Sequence, residues 1–301
     1  MREPIVSTTR AGDAHPGLPA QIGPPALRAA GFSVLLYLGW MLLSGLFHPS
    51  LEWFAGRAGS AGTVLLYFLC LDGFALGLSA AFLSGADGQN FRALGLWFFP
   101  GWWRQAAVGG AAGSLCITLV AMAVARWRGA IASAAALDAG RLSALILFFL
   151  LAAAFEELMF RGYGWQRLAD SLGLVTASLI SSLLFGLAHA GNPRSTLLSI
   201  TNTILAGVLM CVVRARSQAL WMPLGLHFGW NLSLGVVFQY PVSGYQFSGV
   251  SSAAFSSAPD WLTGGPYGLE GSLILTAVAA LAILVLSLCP RNLLSPMDFR
   301  G

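Results

Sequence analysis

The chain has 301 residues, of which 56% are apolar and only 9% are Asp, Glu, Lys or Arg. An ordinary soluble domain carries about 25% charged residues, so the composition excludes a water-soluble globule, a disordered chain and a disulfide-bonded scaffold. All 16 basic residues are arginine, and the formal net charge is +4. A basic excess of this kind is typical of the cytoplasmic side of a membrane protein, so we predict no nucleic-acid partner.

Apolar stretches recur along the chain at the length of a membrane-spanning helix, which needs about 20 residues. In chain order they are 29–48, 61–83, 106–126, 142–160, 174–190, 196–213, 220–239 and 271–289. The sequence therefore predicts an all-α fold, a polytopic transmembrane helical bundle of about eight spanning helices in the lipid bilayer. Between the second and third, the Trp- and Phe-rich stretch 91–105 is too interrupted to span and predicts an interfacial segment.

Three regions are predicted along the chain. Residues 1–27 are rich in Pro, Gly and Ala without an apolar run, which predicts a disordered cytoplasmic N-terminal tail. Residues 28–290 form a single transmembrane domain with a motif-bearing core at 141–235, and 291–301 form a C-terminal tail. The four cysteines lie in apolar stretches without metal-ligand spacing and predict buried, inert thiols.

The distribution of arginine predicts the orientation in the membrane. With the N-terminus inside, eleven arginines fall on cytoplasmic segments: Arg2, Arg10, Arg28, Arg92, Arg104, Arg161, Arg167, Arg214, Arg216, Arg291 and Arg300. Five fall on the outer side: Arg57, Arg126, Arg128, Arg141 and Arg194. The stretch 240–270 contains no arginine, which suits an outer loop. We therefore predict that both termini are cytoplasmic.

Two adjacent carboxylates, Glu156 and Glu157, end the fourth apolar stretch. Ionisable groups inside membrane helices are costly and are usually functional. Glu157 and Arg161 are four residues apart, a favourable spacing for an ion pair on one helix face. Glu156 points about 100° away from Glu157 and stays available as a base. An ion-pair cluster at a helix end is the alternative interpretation.

Two histidines lie in later apolar stretches beside helical partners. Phe185 and His189 are four residues apart, as are His227 and Asn231, so each pair shares one helix face. With Glu156, this is the set for hydrolysing an acyl bond: a carboxylate that takes a proton from water, a histidine that orients it, and a histidine and an amide that stabilise the oxyanion.

The same groups suit a metal. One carboxylate and two imidazoles, here Glu156, His189 and His227, form a zinc set that leaves a position for activated water. The compact H-E-x-x-H motif is absent from the sequence. Spacing alone leaves both chemistries open.

Three motifs in this order resemble the CPBP family of intramembrane proteases, which includes the type II CAAX prenyl endopeptidases (Rce1-like) and bacterial Abi or bacteriocin-processing homologues. They are E-E-x-x-x-R at 156–161, F-x-x-x-H at 185–189 and H-x-x-x-N at 227–231. The resemblance implies helices around a conical cavity that is open to the membrane and the cytosol. It implies catalytic roles for Glu156, His189, His227 and Asn231, and supporting roles for Glu157, Arg161 and Phe185.

The resemblance also implies an activity. The chain would be a CAAX prenyl protease-like intramembrane peptidase, a hydrolase that cleaves a peptide bond of a membrane-associated peptide or protein. The family is described both as metalloproteases and as glutamate-dependent enzymes, so the cofactor is either none tightly bound or a divalent metal such as zinc; we favour the former. A non-catalytic bacteriocin self-immunity or membrane scaffold protein is the alternative. The short, lysine-free chain predicts a bacterial cytoplasmic (inner) membrane.

Three further features of the apolar stretches carry predictions. Asp72 either lines a cavity or is exposed where Gly73 breaks the second helix. The run Gly109–Gly113 predicts close helix packing, and Asn202 predicts a hydrogen bond between helices.

Overall fold

The computed structural model describes residues 23–47, 61–128, 137–247 and 259–290, together with Leu294. Within those ranges the chain is helical and contains no strand, which confirms the predicted all-α fold. Residues 1–22 of the predicted N-terminal tail and all of the predicted C-terminal tail except Leu294 lie outside the described residues. The first helix begins at Pro25, inside the region predicted as tail.

The described ranges contain ten α-helices. They are α1 (Pro25–Phe47), α2 (Ala61–Ala81), α3 (Trp102–Arg128), α4 (Ala139–Arg161), α5 (Tyr163–Leu172), α6 (Leu174–Ala188), α7 (Leu197–Ser217), α8 (Trp221–Leu232), α9 (Asp260–Thr263) and α10 (Leu273–Leu288). Single π-helical turns extend two of them, at Phe82–Ala86 and Ser233–Val237. Short 3₁₀ turns lie at Phe91–Leu94, Gly265–Tyr267 and Leu269–Gly271.

A helix stands at each of the eight predicted spans, but their lengths differ. Five helical stretches are long and apolar enough to cross a membrane: 25–47, 61–86, 102–126, 139–172 and 197–217. The helices α6 and α10 are apolar but shorter, and α8 has 12 residues before its π turn. The chain is an integral membrane protein; the count of eight spanning helices is not confirmed.

We call the end of the bundle where α1 begins the proximal end, and the end where α1 ends the distal end. Hydrogen bonds join α7 to the residues that flank α10 at both ends. At the proximal end, Arg216 of α7 donates to the carbonyl oxygen of Cys289 after α10 at 2.6 Å. At the distal end, Asn202 of α7 donates to Ser272 O before α10 at 2.8 Å. This bond and a second one from Asn202 to Glu270 O confirm the predicted role of Asn202 between helices.

The helices α3 and α8 pack backbone against backbone. A Cβ atom on Gly113 would lie 2.1 Å from Leu226 O, and one on Gly229 would lie 2.2 Å from Gly110 O. The predicted close packing at Gly109–Gly113 is therefore confirmed, with α8 as the partner. Glycine at these positions lets the helix that carries His227 approach its neighbour to this distance.

The segment that precedes α3 packs under the proximal ends of the bundle helices. The carbonyl oxygen of Leu94 accepts hydrogen bonds from Gln166 at 3.2 Å and from Arg214 at 3.5 Å. Trp221 donates its indole N–H to Trp97 O at 3.0 Å. We call residues 91–101 the floor segment; its polar contacts fix it against α5, α7 and α8.

The helix α2 continues through Asp72 and Gly73 without a break. Asp72 is 8% exposed, so exposure at a helix break is the wrong alternative for this residue. Within the described part of the chain, neither carboxylate oxygen of Asp72 has a hydrogen-bond partner.

Candidate functional site

The three sequence motifs meet inside the bundle. The carboxylate Oε2 of Glu156 on α4 lies 3.6 Å from Nε2 of His227 on α8. The same oxygen lies 3.9 Å from Nε2 of His189, the residue that caps the C-terminus of α6. One carboxylate thus faces the same nitrogen of two imidazoles from different helices.

A buried polar chain supports the carboxylate and histidine from behind. Arg161 and Glu157 form the predicted ion pair, with Nη1 and Oε1 3.2 Å apart, and both side chains are almost fully buried. The same Glu157 oxygen lies 2.9 Å from Nδ1 of His227. Arg161 also donates to Gly207 O of α7 at 3.2 Å. Because these bonds join α4, α7 and α8, they fix the imidazole plane of His227 relative to Glu156.

The aromatic ring of Phe185 contacts both Arg161 and His189. The guanidinium carbon of Arg161 lies 4.4 Å from the ring centroid, a distance at which a cation is attracted to a ring face. The centroid of the His189 ring lies 4.6 Å from that of Phe185. Phe185 therefore packs against the arginine of the ion pair and against the imidazole that faces Glu156.

The tautomer of His189 follows from its hydrogen bond to its own helix. Its Nδ1 lies 2.8 Å from Phe185 O. A carbonyl oxygen only accepts, so Nδ1 donates, and in the neutral ring Nε2 is left as an acceptor. That acceptor points towards Glu156, where it can hold a water molecule.

Glu156 lines a cavity of about 740 Å³. The Glu156 side chain is 27% exposed, against 14% for His189 and 8% for His227. Asn231 lines the same cavity. Aromatic rings make up much of the remaining wall: Trp40, Tyr67, Phe68, Phe148, Phe149, Phe155, Phe160, Tyr245 and Phe247. Among the described residues that line it, Glu156 and Arg194 are the ones with a formal charge.

Glu270 is a half-buried acid near the site, and its contacts were not predicted from the sequence. It lies at the distal end, before α10, where its Oε1 accepts the indole N–H of Trp230 at 3.0 Å. Its Oε2 accepts the backbone N–H of Ser243. Burial raises the pKa of the Glu270 carboxyl, against the lowering effect of these donors. This acid therefore joins the distal loop to the helix that carries His227 and Asn231, a contact for which the sequence holds no local signal.

The three candidate metal ligands do not form a metal-binding set. Zinc holds nitrogen and oxygen donors at about 2.0–2.2 Å, and His, Cys, Asp and Glu side chains in the described ranges form no group of three arranged to hold an ion. The structure therefore does not support the zinc alternative for Glu156, His189 and His227 or the prediction of a metalloprotease.

Residues 138–233 match the family model described as Type II CAAX prenyl endopeptidase Rce1-like. This confirms the resemblance drawn from the three motifs, and the matched residues contain all of them. No curated protein and no solved structure matches the chain significantly. The match supports a CAAX-type intramembrane protease that acts at the lipid bilayer.

Proposed function

We propose that this Rce1-like chain is an intramembrane endopeptidase that hydrolyses a peptide bond of a membrane-associated substrate. The observation that carries the proposal is the Glu156 carboxylate, which faces Nε2 of both His189 and His227 at the base of an aromatic cavity. The family match supports the same reaction class.

The reaction begins with a water molecule held between Glu156 and His189. Glu156 takes one proton, while Nε2 of His189 accepts a hydrogen bond from the water and orients its lone pair towards the peptide carbonyl. General-base assistance of this kind accelerates such steps by about 10²–10⁴-fold. The resulting hydroxide adds to the carbonyl carbon and forms a tetrahedral oxyanion.

His227 and Asn231 stabilise that oxyanion. The Glu157 carboxylate accepts a hydrogen bond from Nδ1 of His227, an arrangement that favours the positively charged imidazolium. Its Nε2–H and the amide of Asn231 then donate to the oxyanion, as preorganised donors do in other acyl-transfer sites. Collapse of the intermediate breaks the C–N bond, and protonated Glu156 gives its proton to the leaving amine.

The wall of the cavity favours apolar substrate segments. Aromatic rings dominate it, and a ring face contacts alkyl chains and other rings without needing a hydrogen-bond partner. Charged side chains in the scissile region would lose their hydration there without a partner. We therefore expect cleavage within an apolar, uncharged sequence.

Substitution of the proposed base tests the function. We expect Glu156→Gln to reduce peptide cleavage by at least about 10²-fold with unchanged thermal unfolding, because the amide preserves the shape but cannot take the proton. The substrate is found by comparing membrane and secreted peptides between wild-type and Glu156→Gln cells. Unchanged peptide profiles and phenotype would instead support the non-catalytic immunity or scaffold alternative.

Elemental analysis tests the absence of a metal from the mechanism. We expect purified wild-type and Glu156→Gln proteins to carry the same, substoichiometric metal content. The reason is that the described His, Cys, Asp and Glu side chains include no group of three that could hold an ion. One zinc per chain in the wild type that is lost in the variant would contradict the metal-free mechanism.

A further inference from the structure

A second cavity, of about 30 Å³, adjoins the one that Glu156 lines. We call it the small cavity, and the cavity that Glu156 lines the large cavity. Four residues line both: His189, His227, Asn231 and Ser243. Three of these four carry the proposed chemistry, so side chains of the site itself form the wall between the two cavities.

The small cavity is polar where the large cavity is aromatic. Its wall includes the carboxylate of Glu270, the hydroxyl of Thr203 and the carboxamide of Asn231. Among the described residues that line it, Glu270 is the one with a formal charge. Cavities that stay empty in proteins are apolar, whereas buried polar ones hold water. The lining therefore favours a bound water.

The hydrogen-bonding groups on the wall suit such a water. The two oxygens of Glu270 accept hydrogen bonds from neighbouring residues, and a carboxylate offers about four lone-pair sites in all. The Thr203 hydroxyl donates to Ser199 O at 2.9 Å and presents its lone pairs, while the Asn231 carboxamide supplies a donor and an acceptor. A buried water needs two to four polar partners and roughly 10–15 Å³, and the small cavity meets both conditions.

Occupation of the large cavity by substrate gives this water a function. The proposed reaction consumes one water molecule at Glu156, and a peptide segment in the large cavity expels water from around that carboxylate. We propose that the small cavity is a water site, which supplies the hydrolytic water to Glu156 while substrate fills the large cavity. The water passes between the side chains that both cavities share. The supply rests on the proposed function, whereas the water site rests on the small cavity alone.

Two buried methionines test the water site without needing catalysis. Met210 is 2% exposed and lines the small cavity, whereas Met222 is 4% exposed and lines neither cavity. Hydroxyl radicals formed from bound water by a short X-ray pulse oxidise methionine to its sulfoxide, and mass spectrometry measures the rate at each residue. We expect Met210 to be oxidised several-fold faster than Met222 in the purified protein. Equal rates overturn the water site.

Filling the small cavity tests the supply of water. Ala206 of α7 lines the small cavity but not the large one, and Ala206→Val adds two methyl groups to its wall. We expect Met210 oxidation to fall to the rate of Met222. We also expect kcat to fall by about tenfold or more, with KM within about twofold of the wild type. Ala111→Val, at an exposed position of α3, is the matched control and should change neither quantity.

The two readouts together decide the outcome. Wild-type kcat in a variant whose Met210 is protected overturns the supply of water, and so does a loss of kcat while Met210 is oxidised as in the wild type. Thermal unfolding checks that Ala206→Val folds. If it does not, Thr203→Val takes its place with the same expected directions, because it keeps the side-chain shape and removes the hydroxyl.

This test and the test of the function fail separately. Full cleavage by Glu156→Gln together with fast oxidation of Met210 removes the proposed base and keeps the water site. Loss of cleavage in Glu156→Gln together with equal oxidation of Met210 and Met222 keeps the base and removes the water site.

Discussion

At the scale of single residues, Arg161 holds the positive charge that the buried Glu157 carboxylate needs. Removing one partner of a buried ion pair costs about 3–5 kcal/mol, because the other charge is left without compensation. We expect Arg161→Gln to lower the unfolding temperature strongly, and the double variant Glu157→Gln/Arg161→Gln to regain at least half of that loss. Thermal unfolding in detergent measures both.

Glu156→Gln is the matched control for this ion pair, since Glu156 adjoins Glu157 but faces the cavity. Its unfolding temperature should stay close to that of the wild type. Equal losses in the single and double Arg161 variants would show that the arginine acts through its packing on Phe185 and its bond to Gly207 rather than through the charge of Glu157.

Glu270 predicts a dependence of stability on pH. Its pKa in the folded protein is raised by burial above the value of about 4.5 in the unfolded chain. As the pH rises between these two pKa values, the unfolded chain loses this proton first, so stability falls. We expect the unfolding temperature of Glu270→Gln relative to wild type to increase from pH 4.5 towards neutrality. A difference that stays constant with pH would contradict the raised pKa.

Local spacing made some residue contacts predictable and left others out of reach. Glu157–Arg161 and Phe185–His189 are four residues apart, so helical geometry alone brings them together. Glu157 and His227 are 70 residues apart, and their bond depends on how α4 packs on α8. The bonds of Glu270 to Trp230 and Ser243 depend on a loop whose path no periodicity specifies.

At the scale of elements, the helices follow from apolar length, and the exceptions have a physical reason. All eight predicted stretches are helices, because a continuous apolar run of this length favours the helical backbone in a membrane. The helix α5 was not predicted because its sequence, YGWQRLADSL, has a strong polar face and no apolar run. Its buried Gln166 and Arg167 instead contact the proximal ends of other elements.

Two glycines of α3, Gly110 and Gly113, differ in how closely they approach α8, so replacing them by alanine should have different effects on stability. A Cβ on Gly113 would lie 2.1 Å from Leu226 O, whereas the closest atom to one on Gly110 is 3.6 Å away. We expect Gly113→Ala to destabilise the protein by about 1–3 kcal/mol, as overpacking does. Gly110→Ala on the same helix should be close to neutral, and thermal unfolding compares the two.

The position of His227 depends on the same contact. Since α8 carries this histidine, a larger separation of α3 and α8 should displace it. We therefore expect the Gly113→Ala variant to cleave peptide more slowly than the wild type. Wild-type stability and activity in Gly113→Ala would mean that the two helices can separate without moving the site.

At the scale of the whole molecule, the short apolar helices predict a preference for thin bilayers. The helix α6 has 15 residues and α10 has 16, which at 1.5 Å per residue gives about 22 and 24 Å. The hydrocarbon core of a typical bilayer is about 30 Å thick. A shorter stretch thins the surrounding lipid at a modest cost per ångström.

Reconstitution in lipids of different acyl length checks this preference. We expect a higher unfolding temperature in bilayers with 14- or 16-carbon chains than in those with 20- or 22-carbon chains. An unfolding temperature that rises with chain length up to 22 carbons would show that α6 and α10 do not set the thickness of the surrounding membrane.

The packed floor beneath Glu156 also bears on the electrical integrity of the membrane. A hydrated carboxylate and two imidazoles deep in a bilayer would offer ions and protons a path if water reached them from both faces. With Arg161, Trp165 and residues 91–101 filling one side, the aqueous space ends at the site. Under the proposed peptidase function, protons exchanged during turnover then return to the compartment that supplied the water, and peptide cleavage does not dissipate the membrane potential.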